Sequence, residues 1–254
     1  MISVFFAILL AISVGVLIYM ASKDYETIDI RFWTIVVLVP IVILGYWLKS
    51  TVTTAEAAKF AFSYIYLDST VLLMVVLFAM LHFMGIRAAR WVKVLAYGSA
   101  FVHMFLIWAC MHNDLYYKSI ELIDTGMGIA TKMESGPLKI FHWIYIVLAV
   151  IVIVAIVIAA WVKRGTYSRR TLWMYTVLMS VGILIYVVET LIDVDFSSLP
   201  ALYVLADLMI AFNYDHAHTH DITSVVSKHR DQQDVRGFAA FDFSGHFLSC
   251  NEKM

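Results

Sequence analysis

Charge is scarce in this chain: only 15% of its 254 residues are Asp, Glu, Lys or Arg, against 62% hydrophobic residues. A soluble domain carries about 25% charged residues, so a water-soluble globule is excluded and a polytopic membrane protein is expected. The mean hydropathy of +0.85 points the same way. A formal net charge of -1 and a pI near 6.7 leave no basic stripe, and with it no nucleic-acid partner is expected. The two cysteines, Cys110 late in an apolar run and Cys250 in the polar tail, are too few for a disulfide framework and read as unpaired thiols. Catalytic signatures are also missing: there is no phosphate-cradling glycine loop, no nucleophile elbow and no His-Glu pair at metalloprotease spacing. The chain as it stands is therefore not read as an enzyme, and no cofactor is expected.

What is present is a series of apolar runs, each compared with the roughly 20 residues that cross a bilayer as a helix. They occupy Ile2 to Met20, Phe32 to Leu48, Phe60 to Met84, Trp91 to Met111, Ile140 to Val162, Leu172 to Ile192 and Leu199 to Asn213. The second and seventh are short and gain length from uncharged or aromatic flanks, Ile30 to Lys49 and Phe196 to Tyr214. The first lacks the basic stretch of a signal peptide and is expected to be an uncleaved helix. The expected fold class is an all-α membrane protein, a seven-transmembrane helix bundle over residues 1–213, with a connector helix over 214–236 and a β-hairpin over 237–254.

Lys and Arg set the orientation, because short basic loops stay cytoplasmic. One set of alternate loops holds Lys23, Arg31, Arg87, Arg90, Lys93, Lys163, Arg164, Arg169 and Arg170, whereas the loop before the seventh run holds only Asp193 and Asp195. The amino terminus is thus expected outside and the tail inside. The longest outer segment, His112 to Lys139, carries Gly126, Gly128, Gly136 and Pro137 among polar residues and is expected to be a folded lid or mobile loop. In the tail, Ile222, Val225, Val226, His229 and Gln233 follow near-heptad spacing, a weak coiled-coil pattern that implies a homodimer through the connector. Phe238 to Phe243 alternates into the Ser244-Gly245 turn, and His246 to Ser249 follows as a second strand.

Several of these segments carry a family resemblance. Tyr66-Leu67 in the third run, Asn113 at the end of the fourth, Gly136-Pro137-Leu138, and then Phe141-His142-Trp143 and Tyr145 at the start of the fifth occur in the order found in one family. The chain resembles the N-terminal seven-transmembrane sensor region that precedes bacterial histidine kinases and diguanylate cyclases. Thr219-His220-Asp221-Ile222 approximates the Leu-Asp-Leu-like step of that family, and Gly237, Phe241-Asp242, Ser244-Gly245 and Asn251 look like the truncated start of a PAS domain. Three departures stand out: Asp68 replaces a glycine, Tyr116 a histidine, and Asn213 and His216 replace basic residues. The resemblance implies an inner-membrane sensory input module with a kinase or cyclase output beyond the chain; it implies no particular ligand.

Ionisable residues inside a membrane are costly and mark either function or mutual satisfaction. Asp68, His103, Glu189 and Asp207 are the candidates, with Asn113, Asp114 and His142 at the rim of an outer-half pocket for an unidentified small ligand. The excess of carboxylates favours an amphipathic or cationic ligand, while the bland alternative is satisfaction by a tyrosine hydroxyl. His216, His218 and His220 do not make a metal site, since helical spacing lets only His216 and His220 converge. No lysine lies in the seventh run, which excludes a retinal Schiff base. The rival reading is a transporter or channel lined by Asp68, His103, Glu189 and Asp207, but no matching interrupted halves are visible.

The topology is testable with fusions. A cytoplasmic reporter should work after Gly165 and Asp221 and fail at Gly128, with a periplasmic reporter giving the reverse; activity in the opposite compartments would invert the assignment.

Overall fold

The computed structural model describes residues 1–22, 30–83, 88–110, 115–124, 129–162, 169–192, 197–212, 239–241 and 247–250. The helices follow the apolar runs: α1 Ile2–Ala21, α2 Ile30–Thr51, α3 Ala55–Leu67, α4 Leu73–Phe83, α5 Arg90–Cys110, α6 Lys139–Val162, α7 Arg169–Ile192 and α8 Leu199–Phe212. A π turn, Asp68–Leu72, joins α3 to α4 into one continuous rod. Among the described residues five units are long and apolar enough to cross a membrane: α1, α2, the α3-α4 rod, α5 and α6. Of the expected seven spans the last two are not confirmed: their apolar parts among the described residues are Thr176–Glu189, within the 24-residue α7, and Leu199–Phe212.

The chain divides into two compact units, Met1–Asp207 and Leu208–Met254. Within the first, the α3-α4 rod is the most buried of the spanning helices. Thr54 opens it, its hydroxyl accepting the Ala57 N–H at 3.2 Å, and Glu56 adds a negative charge to the first turn where the helix dipole favours one. Its lower half packs Leu77, Phe78 and Met80 against Ile153 and Ile156 of α6. Its upper half presents Ala58, Phe62 and Tyr66 to a second cluster with Ile107 of α5.

The described residues between α5 and α6 form neither a helix nor an open loop. They contain an antiparallel hairpin, β1 Tyr117–Asp124 and β2 Ile129–Ser135, which corrects the all-α expectation. The side-chain period of two explains it: Ile120 faces Met133 and Leu122 faces Thr131, with Ile120, Leu122 and Met133 packed down onto the α3 cluster. Ser119, Glu121, Lys132 and Glu134 point outward. A register shift between Tyr117 and Ser119 inserts one extra residue, so that Tyr117 also faces inward although it lies three positions before Ile120. The ladder continues past the strands, since Gly136 N–H donates to the Tyr116 carbonyl at 2.9 Å and Leu138 N–H to the Leu115 carbonyl at 3.0 Å. Those bonds lead the hairpin directly into α6.

In the second unit, β3 Ala239–Phe241 pairs antiparallel with β4 Phe247–Cys250, with a register shift between Ala240 and Phe241. The expected connector helix over 214–236 lies outside the described residues, as do His216, His218 and His220.

Gly45 sets the approach of α2 to α3. A Cβ there would lie 2.7 Å from the Tyr64 Cβ and 2.9 Å from the Ile65 backbone nitrogen, atoms that move only if the helices part. Gly45→Ala should therefore destabilise the purified chain by about 1–3 kcal/mol, read as a lowered melting temperature. Gly98→Ala, which meets nothing within 4 Å, should melt like the wild type; equal melting of both variants would mean that the α2-α3 contact is loose.

Candidate ligand site

In the π turn the Leu73 N–H reaches back to the Asp68 carbonyl, five residues away, and the widened turn frees backbone and side-chain groups for neighbours. The Thr70 hydroxyl donates to the Tyr66 carbonyl at 2.6 Å and touches Met104 Sδ of α5 at 3.6 Å. The Thr70 carbonyl accepts from the Tyr145 hydroxyl of α6 at 3.3 Å. On another side of the turn, the Asp68 carboxylate accepts from the Tyr203 hydroxyl of α8 at 2.8 Å and from the Tyr46 hydroxyl of α2 at 3.5 Å. One irregular turn thus holds hydrogen bonds or close contacts to four other helices.

Glu189, near the end of α7, has a local task. Its carboxylate accepts from the Ser197 hydroxyl at 2.8 Å, the Ser198 hydroxyl at 2.7 Å and the Ser198 backbone N–H. Ser198 immediately precedes α8, so a negative charge sits at the positive end of that helix dipole and clasps the α7-α8 connection.

Under the β1-β2 hairpin lies an aromatic cluster. His103 Nε2 of α5 and His142 Nδ1 of α6 are 3.0 Å apart, so one imidazole donates and the other accepts. The His103 ring stacks on Tyr145 with centroids 4.8 Å apart, and His142 meets Tyr66 edge-on at 5.0 Å. Tyr116 and Tyr117, at the root of the hairpin, pack on Tyr66 and on each other. Beside this cluster is a cavity of about 140 Å³ lined by His103, Leu106, Tyr116, Leu138 and Phe141. The Tyr116 hydroxyl is buried and has no hydrogen-bond partner. Burial, reinforced by the nearby Tyr186 phenol, pushes the Tyr116 and Tyr117 hydroxyls above the usual phenol range, so both remain protonated donors at any physiological pH.

Comparison with known families says what kind of helical membrane region this is. Residues 3–223 match the family described as the N-terminal 7TM region of histidine kinase. The chain belongs to that family. It is a multi-pass membrane protein and a sensory input region, the part of such kinases that is not catalytic. No curated protein and no solved structure gives a significant match to it.

For this 7TM sensor region the structure groups the described site residues in two places, His103 with His142 at the cavity and Asp68 with Glu189 about Tyr46 and Tyr203. His103 lines the cavity, and His142 is buried against it through the imidazole pair. Asp68 is held by two tyrosine hydroxyls, the bland alternative for an intramembrane acid, and Glu189 by two serines. Asp207 of α8 is 0% exposed, with no hydrogen-bond partner for either carboxylate oxygen. Asn113 and Asp114 lie outside the described residues. Sequence reasoning passed over Tyr46, Tyr203 and Thr70; the available signal was that a tyrosine hydroxyl inside a span needs a partner as much as a carboxylate does. Tyr116, Leu138 and Phe141, singled out only as carriers or departures of the family pattern, line the cavity with His103, and Tyr66 and Tyr145 pack against the imidazole pair beside it.

The Glu189 clasp can be removed without touching the cavity. Glu189→Ala strips the acceptor from three donors and should lower the melting temperature of the 7TM region by several degrees, since hydrogen bonds to a charged group contribute about 1.5–3 kcal/mol each when sheltered. Glu189→Gln retains a carbonyl acceptor and should fall between. Wild-type melting of the alanine variant would mean that the clasp contributes nothing.

Proposed function

We propose that this chain is the input module of a bacterial signal-transduction receptor in the cytoplasmic membrane, with its amino terminus outside and its tail inside. A small molecule bound in the cavity beneath the β1-β2 hairpin is the signal. The output is a histidine kinase or diguanylate cyclase domain following the tail, which begins with a PAS-like hairpin, β3 and β4. One observation supports the ligand site: at the root of the hairpin the cavity is lined by His103, whose imidazole is paired with His142, and by Tyr116, whose buried hydroxyl has no hydrogen-bond partner among the described residues.

The route from the site to the output follows from contacts already described. His103 stacks on Tyr145, Tyr145 donates to the Thr70 carbonyl, and two residues earlier Asp68 accepts from Tyr203 on α8. Helix α8 continues in sequence into the connector over 214–236. A ligand that shifts the His103-Tyr145 stack thereby biases the Tyr203 bond and the rotation or register of α8. In the dimeric form of this reading, Ile222, Val226 and His229 face the same residues of a second copy.

Disulfide scanning tests the coupling. Single cysteines placed from Asp221 to Gln233 in the membrane-embedded chain should crosslink with helical periodicity, peaking at Ile222, Val226 and His229. Tyr203→Phe should blur or rotate that pattern while the chain stays folded. A flat profile across the connector would remove the paired signalling helix, and a periodic profile indifferent to Tyr203→Phe would remove the π turn from the route.

A further inference from the structure

The two edges of the β1-β2 hairpin differ. Among the described residues the sheet consists of these two strands alone, and residues 129–135 make no backbone hydrogen bond to a described residue outside it. The Gly136 N–H donates to the Tyr116 carbonyl, and the one register shift lies on β1, between Tyr117 and Ser119. Successive residues of a strand turn their N–H and C=O groups to opposite sides. Counting back from Gly136, the even-numbered residues of β2, Lys132 and Glu134 among them, therefore bond to β1, while Thr131, Met133 and Ser135 direct their backbone groups to the open edge. Such a row is a template for another strand. On β1 the bulge interrupts the matching row, a device that guards an edge. On β2 nothing interrupts it.

The side chains say which strand fits. On the outward face β2 carries Lys132 and Glu134, two residues apart and both exposed. A second copy of β2 laid antiparallel along the open edge bonds to it only if odd-numbered residues stand opposite each other. In the register centred on Met133, that residue faces its own copy, Thr131 faces the second copy's Ser135, and Lys132 faces the second copy's Glu134 at both symmetric positions. The neighbouring registers, centred on Lys132 or on Glu134, set lysine against lysine or glutamate against glutamate, and like charges directly opposite are unfavourable. Across four strands the outward face then runs Lys118, Glu134, the second copy's Lys132 and the second copy's Glu121, with signs alternating. The outer steps of that row already exist within one chain: Lys118 Nζ is 3.7 Å from the Glu134 carboxylate, and Glu121 stands opposite Lys132 in the ladder. The two-fold axis that relates antiparallel neighbours passes through the sheet from face to face. Both copies thus keep the face that packs Ile120, Leu122 and Met133 onto the bundle on the same side, as two chains in one membrane require.

We propose that the open edge of β2 is a self-association surface, on which β2 of a second copy of this chain pairs antiparallel in the register centred on Met133. The product is a four-stranded sheet in the order β1-β2-β2-β1 over two bundles. This contact requires nothing in the cavity and is separate from the connector pairing, so it goes beyond the function proposed above.

The test is made in the membrane with two differently tagged copies of the full chain, after Cys110 and Cys250, its only cysteines, are replaced by serine. Lys132→Cys co-expressed with Glu134→Cys should give a mixed disulfide on mild oxidation, because a non-hydrogen-bonded pair has its Cα atoms about 4.5 Å apart. Lys132→Cys with itself, or Glu134→Cys with itself, should react far more slowly, since diagonal neighbours are about 7–8 Å apart and a disulfide spans up to about 7 Å. Ser119→Cys with Glu121→Cys, on the guarded strand, should stay at background. Ser135→Pro removes an edge N–H and leaves the bonds to β1 in place; it should slow the mixed disulfide about fivefold, the effect of one net hydrogen bond, with the melting temperature unchanged. A same-position pair that outpaced the mixed one would overturn the register. An undiminished rate in Ser135→Pro would remove the backbone pairing. A mixed pair no faster than the β1 control would remove the surface altogether, and the input-module reading would stand, because the connector crosslinks that judge it do not involve the hairpin.

Discussion

The widened turn at Asp68–Leu72 is the feature on which the upper bundle depends. An uninterrupted α-helix consumes its own backbone donors and acceptors and offers neighbours only side chains. At this turn, where the Leu73 N–H reaches back to the Asp68 carbonyl and is shared with that of Thr70, the Thr70 carbonyl also accepts from Tyr145 and the Asp68 carboxylate from Tyr46 and Tyr203. In lipid there is little hydrophobic drive to hold helix against helix, so close packing and a few interhelical hydrogen bonds decide the arrangement. Here those bonds converge on five residues of one rod, and the close approach at Gly45 brings α2 alongside the same rod just below them in sequence.

The hairpin solves a different problem. Aromatic rings at the top of α3, α5 and α6 would be left as an exposed apolar patch, and a flexible glycine-rich loop could cover them only at the entropic cost of ordering it. An antiparallel pair satisfies its own backbone and lays one face, Tyr117, Ile120, Leu122 and Met133, across the patch. A two-stranded hairpin alone is marginal in water; this one is anchored by packing on the bundle and by the ladder that runs on through Gly136 and Leu138 into α6.

How far the sequence discloses this depends on how local the cause is. Five spans are legible because each is a single apolar run, and α1, α2, α5 and α6 begin and end within a few residues of it. The last two runs show the limit, since the described apolar parts of α7 and α8 are shorter than a span. The hairpin was partly legible: Ile120 and Leu122 alternate properly, but Tyr117 breaks the period because of the bulge, and the glycines suggested a loop. The π turn has no local marker. Its partners stand 22 and 135 residues from Asp68 and 75 from Thr70, so only the fold brings them together. Intramembrane acids could be picked out individually, but counting them with the histidines as one pocket assumed a single convergence, whereas the structure pairs His103 with His142 and brings Asp68 and Glu189 together about Tyr46 and Tyr203.

The choice of hydroxyls as partners for Asp68 bears on what the bundle can do. A Lys or Arg at either position would make a buried ion pair, and breaking such a pair by losing one partner costs about 3–5 kcal/mol. Tyr46 and Tyr203 donate single hydrogen bonds without adding charge, and each such link to a carboxylate contributes less, about 1.5–3 kcal/mol. A ligand moves an equilibrium only by its differential affinity for the two states, commonly a few kcal/mol. Hydroxyl links across the π turn are within that range, whereas an ion pair would hold the turn in one arrangement regardless of what occupied the cavity. Weak satisfaction of Asp68 is therefore compatible with both readings of an intramembrane acid: it meets the structural demand of burial and keeps the junction between α2, α3 and α8 soft enough to respond.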